Sequence, residues 1–123
     1  MEQKIETLTV NGVDYVPADA VRAMAAKRDG MSYCIVRTQS AGVFAGYVES
    51  RDGAEAVLRD ARRIWYWDGA ASLSQLAMSG TSKPENCKFP ETIDRVTVFG
   101  VIEILDCTET ARLSIESVAI WQA

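Results

Sequence analysis

Residues 61–69, with the sequence ARRIWYWDG, join two arginines to three consecutive aromatic residues and end in an Asp-Gly turn signal. The density of β-favouring side chains predicts a strand over residues 57–67, although apolar residues over 54–65 also fit a helical pattern. In a strand, Arg62 and Arg63 face opposite sides, so only one of them can enter a given pocket. Rings beside guanidinium groups suit a planar ligand that carries phosphates, and they equally suit a core with arginines at its rim.

Two short helices are predicted after this stretch. Ser72 and Gln75 form the capping box S-x-x-Q, and Gly80 ends a helix of about two turns. Residues 108–113 predict a second short helix with a capping residue at its start.

Three further segments have the composition of strands. Residues 32–49 are rich in β-branched and aromatic side chains around a glycine turn, and they predict an antiparallel pair. Residues 94–106 are the most apolar stretch and predict a strand that Gly100 bends or bulges. Residues 118–121 predict a last strand. The residues of 94–106 that are expected to share one face are Val96, Val98, Ile102 and Ile104.

Residues 1–30 predict a hairpin followed by a helix. Asn-Gly at residues 11–12, between alternating apolar residues, is typical of a two-residue hairpin turn. A helix is predicted from Pro17 to Arg28, where Asp29-Gly30 stops it.

The chain as a whole predicts one domain of the α+β class over residues 1–123. A length of 123 residues with 48% apolar and 24% charged residues is that of a single globular unit. The expected architecture is an N-terminal hairpin and helix followed by a mostly antiparallel sheet with two short helices. Residues 1–30 are interpreted as an arm and residues 31–123 as the β-rich core that binds a ligand.

Composition excludes several classes of function. The net charge of −4 argues against binding of nucleic-acid polymers, which needs a basic surface. The absence of histidine removes Ser-His-Asp and Cys-His nucleophilic sites and most transition-metal sites. Three widely spaced cysteines do not predict a disulfide framework or a structural zinc site. Neither an apolar leader nor a stretch of transmembrane length is visible, so a cytoplasmic protein without membrane contact is expected.

Polar side chains at predicted strand ends and loops are the candidates for binding. Arg37 and Thr38 end a predicted strand at a glycine-containing turn. Asn86 and Phe89 follow a proline-fixed loop, where an amide can read the edge of a base and a ring can stack on its face. Arg112 lies on a predicted helix and can reach a phosphate. Ordinary solvent, turn and core roles fit each of these residues equally well.

Three segments of the sequence together resemble a known family. Residues 37–46 (RTQSAGVFAG), 61–70 (ARRIWYWDGA) and 84–89 (PENCKF) are similar to the phage anti-Thoeris proteins of the first type. The resemblance covers residues 32–121, and its most distinctive part is the arginine–aromatic run.

The resemblance implies a function that composition does not. These proteins bind cyclic ADP-ribose isomers made by bacterial TIR-domain defence proteins and hold them intact, so that the downstream effector is starved of its signal. Members assemble as dimers that build a hexamer, and some also take up cyclic trinucleotides. The resemblance therefore implies a non-enzymatic protein of the infected bacterial cytoplasm that needs no cofactor or metal. The implied ligand-binding residues are Arg37, Thr38, Arg62, Asn86, Phe89 and Arg112.

Two alternatives remain open from the sequence. The first is an enzyme that opens a cyclic nucleotide with a carboxylate such as Glu103, although this residue is expected on a solvent-facing side of its strand. The second is an inhibitor module that covers a host enzyme with an acidic surface built from residues 84–123.

Overall fold

The structure is a computed structural model that describes residues 8–10, 13–15 and 23–123. This part of the chain contains seven strands and two α-helices, which confirms the α+β class and the mostly antiparallel sheet. The strands are β1 (Leu8–Val10), β2 (Val13–Tyr15), β3 (Ser32–Thr38), β4 (Val43–Asp52), β5 (Glu55–Arg63), β6 (Ile93–Phe99) and β7 (Val101–Asp106). The helices are α1 (Leu73–Ser79) and α2 (Glu109–Ser117).

The predicted hairpin is confirmed by the pairing of β1 with β2, but the predicted helix is wrong where it can be checked. Strands β1 and β2 are antiparallel. Residues 16–22 of the predicted helix lie outside the described part, and residues 23–28 are not helical. Ala25 N donates to Cys107 O over 3.0 Å, and Glu109 N donates to Ala23 O over 2.9 Å. These bonds to the β7–α2 junction satisfy the backbone groups that a helix would use, so tertiary contacts override the alanine-rich pattern.

The Asp-Gly pair that was expected to stop this helix instead forms a tight turn. Both Asp29 (φ 52°) and Gly30 (φ 80°) have positive φ angles. Arg28 and Met31 exchange two backbone hydrogen bonds across the turn. Positive φ at both central positions is the requirement of a type I′ turn, which connects extended segments.

The main sheet has the strand order β6-β5-β4-β3-β7, with antiparallel neighbours throughout. Strands β6 and β7 lie at opposite edges, yet only Gly100 separates them in the chain. Gly100 (φ 73°) accepts a hydrogen bond from Gln39 N, and Val101 N donates to Ala54 O. We call this the Gly100 corner. Because the two edges meet there, the sheet is rolled.

The Gly100 corner corrects the prediction of one continuous face along residues 94–106. The turn splits the stretch into two strands and shifts the alternation of side chains, and a bulge at Ile102, opposite Arg37 and Thr38, shifts it again before Ile104. Val101 therefore packs with Val96, Val98 and Ile104, whereas Ile102 is 51% exposed.

Both faces of the sheet are buried. One face packs against α1 and α2 and forms the helix-side core, whose members include Tyr33, Ile35, Leu76, Phe89 and Ile115. The other face has buried residues from β3, β4, β5 and β6, and neither of the two helices within residues 23–123 packs against it. Its apolar side chains are enclosed by the roll of the sheet itself. This roll core includes Val36, Phe44, Leu58, Ala61 and Val98.

A bulge in β5 decides which way Arg62 points. Tyr47 is paired with Arg59 and Ala45 with Arg62, so β5 has one residue more than β4 over this interval. Asp60 lies within the extra length and has a φ angle of 50°. A bulge of this kind shifts the alternation of the strand, and Arg62 consequently faces the helix-side core.

We expect Gly46→Ala to destabilise the protein, because Gly46 lies opposite this bulge. A Cβ atom at Gly46 would lie 2.9 Å from Ala61 Cα and 3.0 Å from Arg59 O. Both are backbone atoms of β5, so relief requires the strands to separate. The expected loss in free energy of unfolding is about 1–3 kcal/mol, as for other overpacked sites. Urea denaturation measures it, and an unchanged midpoint would show that the two strands are not this close.

Candidate functional site

Arg62 is a buried residue with a structural role in the fold. It is only 4% exposed, and its three guanidinium nitrogens donate to three backbone carbonyls. The acceptors are Phe89 O at 3.0 Å, Pro90 O at 3.1 Å and Ile115 O at 2.9 Å. Burial lowers the pKa of Arg62. The side chain joins the loop before β6 to the last turn of α2. Each of its three nitrogens donates to a backbone carbonyl inside the protein, and the side chain is not on the surface where the predicted phosphate contact would be made.

Phe89 is also inside the protein. Its side chain is 0% exposed, and the ring centroid lies 5.6 Å from the central guanidinium carbon of Arg62. The two predicted residues are therefore neighbours, as expected, but they meet in the helix-side core. A ring without an exposed face cannot stack on a base in this arrangement.

The other four predicted residues are spread over separate polar contacts. Arg37 is exposed and its Nε donates to Glu103 Oε1 over 2.7 Å, which also places Glu103 on a solvent-facing side. Thr38 Oγ1 donates to Gly42 O over 2.8 Å and closes the β3–β4 turn. Asn86 Nδ2 donates to an Asp68 carboxylate oxygen over 3.0 Å.

Arg112 is held by two acidic neighbours on its own helix. Its guanidinium lies 2.6 Å from Glu109 and 2.7 Å from Glu116. The hydrogen bonding that Arg112 donates to the Glu109 carboxylate is the largest cause of the raised pKa of Arg112. None of the six predicted residues lines any of three surface hollows of about 230–260 Å³ in the described part of the chain. The six residues thus do not form one site.

A different group of side chains forms an exposed surface beside Phe89. We call it the Trp–Lys surface, and its members are Trp65, Tyr66, Lys88, Ile120 and Trp121. The three rings are 65%, 51% and 43% exposed in chain order. The Lys88 ammonium lies 5.9 Å from the Tyr66 ring centroid and 5.5 Å from that of Trp121. The Trp65 and Trp121 rings are 6.5 Å apart and inclined by 9°.

Backbone pairing positions these side chains. Trp65 N donates to Lys88 O over 3.1 Å, and Lys88 N donates to Tyr66 O over 2.8 Å. Trp121 N donates to Phe89 O over 3.0 Å, and a parallel bridge joins Phe89 to Ile120. The predicted strand over 118–121 is thus reduced to this single bridge.

The strand predicted over residues 57–67 ends early, and the alternation of side chains holds only as far as Ile64. Arg62 and Ile64 face the helix-side core, as expected for one side of a strand. Strand β5 ends at Arg63, and beyond it Tyr66 is exposed while Trp67 packs against the helix-side core. The Trp67 Nε1 donates to Ala70 O over 3.1 Å. The alternation of a strand therefore does not extend to the last two rings.

The electrostatic character of the Trp–Lys surface is set by Lys88. Within residues 23–123, no carboxylate lies within 4.0 Å of its ammonium group. The surface therefore presents one cation beside aromatic faces, which is a combination suited to an anion attached to a planar ring. The sequence contains both signals, the run of rings and the lysine after the proline loop, but it does not show that Trp121 joins them.

The described residues give few other starting points for chemistry. Cys34, Cys87 and Cys107 are buried and free, and burial raises the pKa of Cys107 to about 12. Burial is also the largest cause of the raised pKa of Cys34. No cluster of three or more His, Cys, Asp or Glu side chains that could hold a metal occurs in the described ranges. In the same ranges, no helix is both long and apolar enough to cross a membrane.

Comparison with known proteins places the chain in a family. The family model described as "Domain of unknown function (DUF6948)" matches residues 31–115. No curated protein and no solved structure matches the chain. The matched segment holds the rolled sheet and most of α2, and it includes Trp65, Tyr66 and Lys88 but not Trp121. Because the match spans more than half of the 123 residues, the chain belongs to the DUF6948 family.

Proposed function

We propose that the protein binds a small nucleotide signal of the cyclic ADP-ribose type and sequesters it without cleavage. The observation that carries the proposal is the Trp–Lys surface, where exposed rings surround an ammonium group that has no carboxylate partner in residues 23–123. Such a ligand combines an adenine, which stacks on rings, with a pyrophosphate, which needs a cation. The resemblance to anti-Thoeris proteins supports the same class of ligand.

The chemistry of this surface favours holding a ligand over cutting it. Its ionisable groups are Lys88 and Tyr66, and the protein has no histidine to serve as a general base near neutral pH. The carboxylate weighed for a hydrolase, Glu103, is engaged by Arg37. In the proposed role, the protein acts in the cytoplasm of an infected bacterium and withholds the signal from a Thoeris effector.

We expect a cyclic ADP-ribose isomer to raise the melting temperature of the protein, and Lys88→Glu to abolish that rise. A ligand at a hundred times its Kd stabilises the folded state by about 2.7 kcal/mol, which corresponds to several degrees. Replacing the one cation of the surface with an anion repels the pyrophosphate. Lys83→Glu is the matched control. Lys83 is exposed in the neighbouring loop, and its substitution changes the net charge by the same amount as Lys88→Glu. A thermal-shift assay measures both variants.

Sequestration also predicts that the ligand comes back unchanged. After the complex is heated and filtered, chromatography should recover intact cyclic ADP-ribose. Recovery of an opened product would favour the hydrolase. A lack of any shift with cyclic ADP-ribose isomers and cyclic trinucleotides would contradict the proposal and favour the inhibitor module, for which the exposed Phe99 and Ile102 at the Gly100 corner are the starting point.

A further inference from the structure

Two tryptophans of the Trp–Lys surface have nearly parallel rings. Their ring centroids are 6.5 Å apart with an interplanar angle of 9°. Stacked aromatic pairs have centroids roughly 4.5–7 Å apart, so this pair is at the wide end of the range. Trp65 remains 65% exposed and Trp121 43% exposed. A large part of both residues is therefore accessible to a ligand.

The two rings are anchored to different extents. Trp65 follows the buried Ile64, and Trp65 N and Tyr66 N both donate to Lys88 O. On the other side, Val118 is buried at the end of α2, whereas residues 119–121 are exposed. The backbone of Trp121 is tied to the rest of the described chain by the hydrogen bond to Phe89 O. Trp65 is thus the more firmly held ring, and Trp121 is the ring that can shift outward if its segment gives up the pairing with Phe89.

We propose that Trp65 and Trp121 form a clamp that admits a purine base between their faces, with Lys88 contacting the attached phosphate. This inference rests on the proposed function and names the part of the ligand that is recognised. A base has two π-faces and gains stacking on both sides. Lys88 makes the surface selective for an anionic ligand. Its ammonium lies 5.5 Å from the centroid of the Trp121 ring, where it repels a quaternary ammonium and attracts a phosphate.

The experiment compares probes and variants by isothermal titration calorimetry and tryptophan fluorescence. The probes are cyclic ADP-ribose, AMP and ribose 5-phosphate, which keeps the phosphate but lacks the base. The variants are Trp65→Ala, Trp121→Ala and Trp121→Phe. Phe99→Ala is the matched control, because Phe99 is a 64% exposed ring at the Gly100 corner and lies outside the Trp–Lys surface. Circular dichroism checks that each variant is folded.

We expect cyclic ADP-ribose and AMP to quench tryptophan fluorescence and ribose 5-phosphate to leave it unchanged. Both alanine variants should bind the base-containing probes at least about fivefold more weakly, which is the lower end for loss of one stacked ring. Trp121→Phe should retain most of the affinity, since it keeps a ring, and Phe99→Ala should equal the wild type.

Failure of the clamp is distinguishable from failure of the proposed function. If cyclic ADP-ribose binds the wild type and both alanine variants equally well, the clamp is wrong and sequestration at another surface stands. If only one of the two alanine variants binds cyclic ADP-ribose more weakly, the base stacks on a single ring, and the clamp is wrong in this case too. If the wild type binds none of the cyclic nucleotides, the proposed function is wrong and the clamp falls with it.

Discussion

Arg62→Ala is expected to lower the free energy of unfolding by about 3–5 kcal/mol, because it removes the donors of three backbone carbonyls at once, two of them in buried hydrogen bonds. Phe89 O, Pro90 O and Ile115 O each accept one hydrogen bond from this guanidinium. An alanine leaves these acceptors without that partner and opens a cavity between the loop before β6 and helix α2. For a domain of this size, the melting temperature should fall by about 10 °C or more.

Differential scanning calorimetry measures the effect, and Arg63→Ala is the matched control. Arg63 is the adjacent arginine on the opposite side of β5, half-buried, with one hydrogen bond to Ala41 O. The Arg63→Ala substitution should lower the free energy of unfolding by about 1 kcal/mol, the typical value of one hydrogen bond. Equal losses in stability for the two substitutions would contradict this structural role of Arg62. An Arg62→Ala protein that is stable but no longer binds nucleotide would indicate that Arg62 belongs to a ligand site.

Phe89→Ala is expected to cost about 3–5 kcal/mol, as for other fully enclosed phenylalanines. The ring is 0% exposed and packs in the helix-side core beside Arg62. The carbonyl of the same residue accepts from Arg62 and from Trp121 N, so collapse around the cavity should also disturb the Trp–Lys surface. Loss of ligand binding in this variant would therefore be a result of the disturbed fold. It would not show that Phe89 contacts the ligand.

Urea denaturation of Phe89→Ala and Phe89→Leu shows how much of the loss in free energy of unfolding comes from the buried volume that is removed. Leucine keeps most of the buried volume and should cost about 1.5 kcal/mol or less. Because Arg62 and Phe89 are in contact, the double variant should lose less than the sum of the single losses. A loss below about 1 kcal/mol for Phe89→Ala would mean that the ring is not enclosed.

The strands over residues 32–49 and the two short helices were predictable because local signals and tertiary contacts agree there. Ser72 and Thr108 cap the two helices as the sequence indicates, and their hydroxyls accept from Gln75 N and Ala111 N. Residues 23–28 show the opposite case. Their helical pattern loses to hydrogen bonds with Cys107 and Glu109, which are distant in the sequence. No local pattern contains that information.

The candidate site was predictable in its region but not in its residues. The sequence brings arginines and rings together around residues 62–67 and 86–89, and the structure places these two segments side by side. It does not say which side chains face outward. A guanidinium fits backbone carbonyls as well as it fits a phosphate, so Arg62 has the same sequence signature in either role. The bulge at Asp60, which turns Arg62 inward, has no clear signal in the sequence.

The Gly100 corner has a consequence for how the chain acquires its shape. Strands β3, β4 and β5 are joined by short turns and can associate early, because little loop entropy opposes local contacts. Strand β7 must find β3, where Val101 pairs with Thr38, after all of the intervening segments have been placed. Until that pairing occurs, one lateral border of β3 is open and the apolar lining of the roll is accessible. Slow maturation would therefore be concentrated at this seam, which is also where a nascent chain is most exposed to aggregation.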